Sequence, residues 1–324
     1  MKTKILFSDK KSIKKAALII KKGGLVAFPT ETVYGLGANA LNPEAVAKVF
    51  EAKKRPHFDP LIVHIADKKF VKKLCRRVNK KAEILIAKFW PGPLTLIFPK
   101  SEIVPDIVTA GLKTVAVRMP AHQIALDLIK EAGVPIAAPS ANLFGKLSPT
   151  EASHVFKQLK DKIEAIIDGG KCPIGIESTV VDVFSRTPKV LRPGGLPIEE
   201  IKKALGGIKL EVKTRSRKIY SPGQLKSHYQ PLTPLKIIRK KKFKPPLNIK
   251  AGLLAFKKPK NKKFYHHIEV LSPSGNLREA AANFFSALHR LDKAHLDVIY
   301  AEKIPEKGLG VAIMDRLYKA ESLS

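Results

Sequence analysis

The chain is poor in cysteine, in acidic residues and in long apolar runs. Its two cysteines, Cys75 and Cys172, lie far apart and in no CxxC or Cys/His spacing. This pattern argues against a zinc site or a disulfide framework and favours two buried thiols. No segment approaches the roughly 20 consecutive apolar residues that span a bilayer. Residues 1–15 lack the apolar core and the cleavage site of a secretory signal, so we expect a cytoplasmic protein with no membrane association.

Acidic residues are outnumbered, with 28 Asp and Glu against 60 Lys and Arg and a formal net charge of +32. A field of this sign concentrates polyanions and raises their association rate. The charge alone leaves two explanations open, a polyanionic partner and a merely solvating basic surface. The apolar fraction of 44% is ordinary for a globular protein. The length of 324 residues fits one large domain and a small one.

Familiar catalytic and phosphate-binding motifs are also missing. There is no GxxxxGK[ST] loop and no GxGxxG fingerprint, and the strings GLGA (35–38) and GLGV (308–311) are too short to count. HExxH, GxSxG and paired-carboxylate arrangements are absent as well. The lack of a nucleophile with a matching base argues against a covalent acyl-enzyme. It favours a reaction driven by positioning and electrostatic stabilisation, as in nucleotidyl transfer.

Hydrophobic patterning predicts an α/β domain at 1–205, a linker at 206–234 and a second, small α/β domain at 235–324. The linker is polar, basic and punctuated by Pro and Gly. In the first domain we expect strands at 23–29, 60–65, 93–98, 114–120, 134–140, 165–170, 178–184 and 189–195, with helices at 43–54, 80–90 and 122–133. In the second we expect strands at 251–256 and 296–304 and helices at 276–293 and 307–320.

Polar residues interrupt or follow the predicted strands of the first domain. In open α/β sheets, ligands collect at the carboxyl ends of strands. Hydroxyls and arginines in such places suit a ligand rich in carboxylate and phosphate, because arginine offers both groups a planar fork. Lys53 and Arg55 add two cations at a helix end, where they either stabilise the helix terminus or contact phosphate. The strand-associated residues are Thr30, Thr32, His64, Arg118, Ser140, Asn142, Ser178, Thr179 and Arg192.

A series of motifs in these places resembles the YrdC/Sua5 family. They are PTETVYGLG (29–37), KKRPHFDPLIVHI (53–65), WPGPLT (90–95), VAVRMP (115–120), APSANLFGKLSPT (138–150), STVVD (178–182) and LRPGG (191–195). SPGQLKSHYQP (221–231) resembles the segment that marks the two-domain Sua5 form. The resemblance implies a large twisted mixed sheet with helices around a concave basic cavity, followed by a small Rossmann-like C-terminal domain.

The resemblance also implies an activity. An L-threonylcarbamoyladenylate synthase converts L-threonine, bicarbonate and ATP to threonylcarbamoyl-AMP and pyrophosphate, with Mg²⁺ held mostly by ATP and no metal ligands from the protein. Its product would feed the tRNA-threonylcarbamoyl transferase machinery that modifies tRNA. Between Lys236 and Lys263 the chain has 12 Lys and Arg and no acid, either a solvated face or an RNA-contacting surface.

Site residues follow from the resemblance position by position. The catalytic cations would be Lys53, Arg55 and Arg192. Threonine would be held by Thr32, His64, Arg118, Ser140 and Ser178, with Arg118 as the carboxylate clamp. ATP would be bound by Arg55, Asp59, Thr114, Ala138, Asn142, Ser148, Arg192, His228 and Tyr229, the last two from a linker that folds over the cavity as a lid.

Two positions depart from the family pattern. Asp59 stands where the family often has asparagine near the nucleotide, and a carboxylate there would repel phosphate unless it binds the metal or turns away. Gln224 replaces the usual methionine of the linker string. Two other functions remain to be weighed: a non-catalytic RNA-binding module, and carbamoylation in hydrogenase maturation, which the lack of zinc-finger cysteines disfavours.

Overall fold

The computed structural model describes residues 2–213, 228–240, 243–259 and 262–321. In these residues the chain forms two β-sheets flanked by helices. The first sheet contains β1 (Lys4–Leu6), β2 (Val26–Phe28), β3 (Gly35–Asn39), β4 (Ile62–His64), β5 (Leu94–Pro99), β6 (Thr114–Arg118), β7 (Ile136–Ala137), β8 (Ala165–Ile167), β9 (Thr179–Asp182), β10 (Lys189–Arg192) and β11 (Glu211–Val212). The second contains β12 (Leu235–Ile237), β13 (Ala251–Ala255), β14 (His267–Val270) and β15 (Val298–Ala301).

The helices are α1 (Lys10–Lys21), α2 (Pro43–Lys53), α3 (Lys69–Leu74), α4 (Lys80–Phe89), α5 (Asp106–Thr109), α6 (Gln123–Ala132), α7 (Ala152–Leu159), α8 (Ile198–Ala204), α9 (Leu277–Asp292) and α10 (Leu309–Ala320). Helix α2 begins as the sequence predicts, with Pro43 in its first turn and the Asn42 side chain capping it. Helix α6 ends at Gly133, whose φ of 67° is the left-handed conformation that glycine adopts without strain.

The first sheet is mixed and has the order β1-β8-β2-β3-β7-β4-β6-β5-β9-β10-β11. Every strand predicted in this domain is present, so the expected α/β class with a large mixed sheet is confirmed. The string GLGA forms part of β3. Gly37 is needed there for packing, because a Cβ would lie 2.7 Å from the Phe28 ring and 2.8 Å from Ile136. Glu211–Val212, which sequence patterning assigned to the linker, pairs with β10 as an edge strand.

The second sheet has four parallel strands in the order β12-β15-β13-β14. Helices α9 and α10 supply most of the apolar side chains that pack with it, among them Phe284, Phe285 and Leu317. A parallel sheet with packed helices is the Rossmann-like architecture expected for this domain. In the described part of the chain, no helix is long and apolar enough to cross a membrane.

The two sheets belong to domains that pack directly against each other. Gly175, with φ of 75°, lies against the backbone of α9, where a Cβ would come within 2.5 Å of the Ala281 carbonyl oxygen. The rings of His154 in α7 and His289 in α9 stack with centroids 3.8 Å apart. His289 also lies 3.2 Å from the carbonyl oxygen of Ser148. The C-terminal domain is therefore fixed to the first domain at the segments around Ser148 and Gly175.

Candidate active site

A pocket lies across one face of the first sheet. Ile62 and His64 lie two positions apart on β4, so both side chains point to this face. Val63, between them, packs in the core on the other side. His64 is in register with Arg118 of β6. The lining residues are Thr30, Thr32, Val33, Gly35, Arg55, Ile62, His64, Arg118, Ala138, Pro139, Ser140, Glu177, Ser178, Arg192, His228 and Tyr229.

The position of the pocket differs in one respect from the sequence-based expectation. His64, Arg118 and Arg192 are the last residues of their strands, as expected for a site at the carboxyl ends. However, β7 runs antiparallel to β4, so the residues that follow it, including Ser140, reach the pocket from the opposite edge. Because the sheet is mixed, the pocket lies across the sheet face rather than outside one edge.

Arg118 is held in place by three protein groups. Its Nη1 donates to Thr32 Oγ1 at 2.9 Å, its Nε donates to the Gly92 carbonyl at 3.3 Å, and its Nη2 lies 2.7 Å from the Glu31 carboxylate. The Glu31 contact is an ion pair without a well-aligned hydrogen bond. A guanidinium has five N–H donors, so this arrangement orients the fork and still leaves donors on Nη1 and Nη2 for a ligand.

His64 is a neutral imidazole in this setting. Burial, followed by the nearby Arg118 charge, lowers its pKa from 6.5 to about 3. Its Nδ1 has no hydrogen-bond partner within the described part of the chain. A buried imidazole nitrogen without a partner costs free energy unless a ligand or water satisfies it. His64 is therefore suited to hydrogen-bond a substrate rather than to carry charge.

Arg55 reaches the pocket from the loop after α2. Its Nε and Nη2 donate to the carbonyls of Asp59 and Pro60 at 3.1 and 3.0 Å, and Nη2 lies 2.9 Å from the Asp59 carboxylate. Burial raises the pKa of Asp59, while Arg55 and then Lys53 act in the opposite direction. Asp59 itself is fully buried and does not line the pocket, so its carboxylate lies behind Arg55.

Ser178 and Arg192 form a second polar group on the pocket wall. Arg192 Nη2 donates to both the carbonyl and the hydroxyl oxygen of Ser178, at 3.0 and 3.1 Å. The Ser178 hydroxyl also lies 2.7 Å from Thr95 Oγ1. The antiparallel pairing of β9 with β10 brings these residues together. The result is a rigid hydroxyl beside a buried cation.

His228 and Tyr229 close another side of the pocket and are almost fully buried. Burial lowers the pKa of His228 to about 3 and raises that of Tyr229. The Tyr229 ring packs against His228 and Phe285, with centroids 4.1 and 5.7 Å away. Gln224 and residues 214–227 of the predicted linker lie outside the described residues.

The five residues predicted to hold threonine all line the pocket, as do Arg55, Ala138, Arg192, His228 and Tyr229. Five other predicted residues do not. Lys53 is 1% exposed and donates to the carbonyls of Ser140 and Asn142, and burial lowers its pKa well below 10.5. Asp59, Thr114, Asn142 and Ser148 lie behind or away from the lining, and Thr114 begins β6 at the end opposite Arg118.

Sequence reasoning missed two buried carboxylates and one arginine at this site. Glu31 pairs with Arg118, and Glu177 is the acidic residue among the lining groups. Glu177 accepts from Ser148 Oγ at 2.5 Å and from Nε of Arg316, in α10, at 3.1 Å. Glu31 and Glu177 directly precede Thr32 and Ser178, two predicted threonine contacts, so their positions in the sequence could have indicated that they lie at the site. Nothing in the local sequence links Arg316 to residues 139 positions earlier.

The pocket thus combines three arginines with hydroxyls, neutral imidazoles and one carboxylate. Arg55, Arg118 and Arg192 are buried and can bind carboxylate or phosphate through charge-assisted hydrogen bonds. No nucleophile with an adjacent base is arranged among the lining residues. The geometry therefore suits orientation and charge stabilisation of bound anions.

Comparison with known proteins gives a consistent picture. The family model described as "Telomere recombination" (Sua5_yciO_yrdC) matches residues 18–194, and the one described as "Threonylcarbamoyl-AMP synthase, C-terminal domain" matches residues 196–322. A threonylcarbamoyl-AMP synthase of Pyrococcus abyssi is 48% identical over 317 residues, covering 95% of this chain and 93% of the relative. One from Bacillus subtilis is 43% identical and covers 99% and 98% of the two chains.

A solved structure supports the same relationship. The crystal structure of P. abyssi Sua5 complexed with L-threonine superposes with a TM-score of 0.90 at 42% identity, over 99% of this chain and 100% of that one. The similarity therefore includes both domains and the way they pack.

Proposed function

This chain belongs to the two-domain threonylcarbamoyl-AMP synthase family, and we propose that the pocket on the first sheet is where its reaction takes place. The enzyme is an ATP-using transferase that converts L-threonine, bicarbonate and ATP to threonylcarbamoyl-AMP and pyrophosphate. The main support for locating the reaction in this pocket is that Arg55, Arg118 and Arg192 all line it, together with several hydroxyl groups.

The reaction proceeds in two steps, carbamate formation and adenylyl transfer. The threonine amine attacks the carbon of bicarbonate, a C–N bond forms, and water leaves to give a carbamate. A carbamate oxygen then attacks the α-phosphorus of ATP, the bond to the bridging β-phosphate oxygen breaks, and pyrophosphate leaves. Both steps require anions to be brought together, so positioning by fixed cations contributes directly to the rate.

Arg118 is proposed to bind the threonine carboxylate. Thr32 and Glu31 already orient its guanidinium, so a carboxylate can bind at the free edge of the fork without reorganisation. Thr32 and Ser178 offer hydroxyls, and His64 offers an unpartnered nitrogen, for the amine and hydroxyl of the amino acid. Ser140 is proposed to complete this subsite from the opposite edge of the sheet.

Arg55 and Arg192 are proposed to face the ATP phosphates, with Ala138 beside them and His228 and Tyr229 covering the nucleotide. The burial of the last two residues supports a role in excluding water from the labile adenylate. Lys53, Asp59, Thr114, Asn142 and Ser148 remain predicted ATP-site residues. The contacts in the structure favour an indirect role for Lys53, which binds backbone carbonyls, and for Ser148, which binds Glu177.

Mg²⁺ is proposed to enter with ATP as part of the substrate. Within residues 2–213, 228–240, 243–259 and 262–321, no three His, Cys, Asp or Glu side chains cluster in a way that could hold a metal ion. Phosphate oxygens of ATP and water would therefore supply its ligands. When bound, the ion would offset charge on the phosphates.

The wider context is proposed as well. The product would pass to the tRNA-threonylcarbamoyl transferase machinery in the cytoplasm. The basic stretch between Lys236 and Lys263, apart from residues 241–242 and 260–261 outside the described part, supports a tRNA-contacting surface on the C-terminal domain. Binding of tRNA should then weaken steeply with salt.

The test of the activity is pyrophosphate release by the full-length protein. We expect release only when threonine, bicarbonate and ATP are all present, together with a product whose mass is that of threonylcarbamoyl-AMP. Omission of any one substrate should abolish both signals. Pyrophosphate release that continues without threonine would contradict the proposal.

A further inference from the structure

Three buried carboxylate–arginine pairs surround the pocket, and one differs from the other two. Arg118 and Arg55 line the pocket, with Glu31 and Asp59 as their partners behind the lining. In the third pair the carboxylate of Glu177 lines the pocket, and its cation lies behind. That cation is Arg316, which belongs to the C-terminal domain.

Arg316 is the largest fully buried side chain in the described residues, and its contacts converge on the pocket wall. Its Nε donates to Glu177 at 3.1 Å, and its Nη1 donates to the Pro193 carbonyl at 2.5 Å, directly after Arg192. The guanidinium carbon lies 5.4 Å from the centroid of the Tyr229 ring, within the range of a cation–π contact. One side chain therefore contacts three segments of the wall.

The same helix also holds the segment of Tyr229 through its backbone. The backbone N–H of His228 donates to the Lys319 carbonyl at 3.1 Å. Arg316 itself is kept in place by Asp315, which accepts from its Nη1 at 3.0 Å and lies 2.8 Å from the Lys319 ammonium. The last turns of α10 thus set the position of both aromatic residues that close the pocket.

Domain docking alone does not account for this arrangement. A buried ion pair is a costly way to hold two domains together, since apolar residues of similar volume often do as well or better. Apolar contacts are already present, because Val33, Leu147 and Ile176 of the first domain belong to the core of the second. A guanidinium can hydrogen-bond a carboxylate and at the same time pack against an aromatic ring, whereas an apolar side chain cannot bind the carboxylate.

We propose that Arg316 is a positioning residue of the active site, supplied by the C-terminal domain, which holds Glu177 and Tyr229 in their working places in the pocket wall. The inference rests on the proposed function of the pocket. It gives the C-terminal domain a part in shaping the active site of the first domain. Loss of Arg316 would leave a buried carboxylate facing bound phosphates, with the Ser148 hydroxyl as its hydrogen-bond partner and Arg192 as the nearby cation.

The test is a double-mutant cycle on the full-length enzyme with Arg316→Met, Glu177→Gln and the combined variant. We expect each single substitution to lower kcat/KM for ATP at least tenfold. If Arg316 acts through Glu177, the double variant should lose no more than the poorer single variant. Arg290→Met is the matched control, because Arg290 makes a half-exposed ion pair with Glu269 in the same domain, and its kinetics should equal those of the wild type.

A second readout separates positioning from simple destabilisation. Without Arg316, the acid limb of kcat/KM should move to higher pH, and Glu177→Gln should remove that shift. Arg316→Lys keeps the charge but not the fork, so it should retain the wild-type melting temperature and still lose activity; it also serves as the folded variant if Arg316→Met does not fold.

Multiplicative losses in the cycle, an unchanged pH profile, or wild-type kinetics in Arg316→Lys would each overturn the inference. Those results leave the proposed function intact if the wild-type enzyme releases pyrophosphate with threonine. A wild-type enzyme without threonine-dependent release would instead refute the proposed function.

Discussion

Replacing Arg118 with alanine should separate threonine binding from the stability of the pocket. The substitution removes the proposed partner of the threonine carboxylate. A hydrogen bond to a charged group contributes about 1.5–3 kcal/mol, so kcat/KM for threonine should fall by roughly 10- to 150-fold. It also leaves Glu31, whose side chain is 5% exposed, without its cation. Breaking a buried pair by removing one partner costs about 3–5 kcal/mol, so the melting temperature should fall as well.

The two effects can be measured apart by threonine-dependent pyrophosphate release and by thermal unfolding. Glu31→Gln combined with Arg118→Ala removes the orphaned charge and should recover much of the lost stability without recovering activity. Glu31→Gln alone leaves the guanidinium in the pocket and should bind threonine. The reasoning is refuted if Arg118→Ala has a normal KM for threonine, or if the double variant regains turnover.

Three further outcomes are expected. Asp59→Asn removes a carboxylate that pairs with Arg55 and would repel phosphate, so the KM measured by titrating ATP should fall several-fold. A higher KM would mean that the carboxylate assists binding. Lys53→Met should lower stability by about 1–3 kcal/mol, because its ammonium binds two backbone carbonyls, with little change in the KM for ATP; a raised KM with unchanged stability would favour direct phosphate contact. The pKa values of His154 and His289 are lowered by burial to about 4 and about 3. The unfolded chain therefore binds more protons below pH 6.5, and stability should fall from there toward pH 4, by on the order of 1–2 kcal/mol per histidine at pH 5; acid denaturation of His289→Gln should show a smaller loss, and an equal loss would refute this.

Much of the fold could be predicted from local patterning. The strand runs at 60–65 and 114–120 and the helices at 43–54 and 122–133 are present in the structure because hydrophobic period and capping residues act over a few positions. Other elements escaped prediction: β1, β3, β11, β12, β14, α1, α3, α5, α7 and α8. Strand β3 reads GLGAN, and Gly37 is there because Phe28 and Ile136 leave no room for a Cβ. That reason is tertiary and has no local signature.

In the pocket, too, some features could be predicted from sequence and others could not. Thr32, His64, Arg118, Ser140 and Ser178 were found from sequence because each is a polar residue within or beside an apolar strand run, and the motif order supplied the rest. All five line one pocket. Lys53 carried the same kind of signal, but its side chain turns inward to backbone carbonyls. The direction of a side chain at a helix end depends on the packing around it, which a motif does not record.

The sequence by itself determined the α/β class, the two-domain family and the set of hydroxyls and arginines from which the site is built. Only the tertiary structure decided how those groups are held. A mixed strand order brings residues from both edges of the sheet to one face. The partners Glu31, Asp59 and Arg316 complete the ion pairs of the pocket, and Arg316 comes from the other domain. Coulomb pairing acts through space between residues far apart in the chain, whereas sequence patterns report only on neighbours within a few residues.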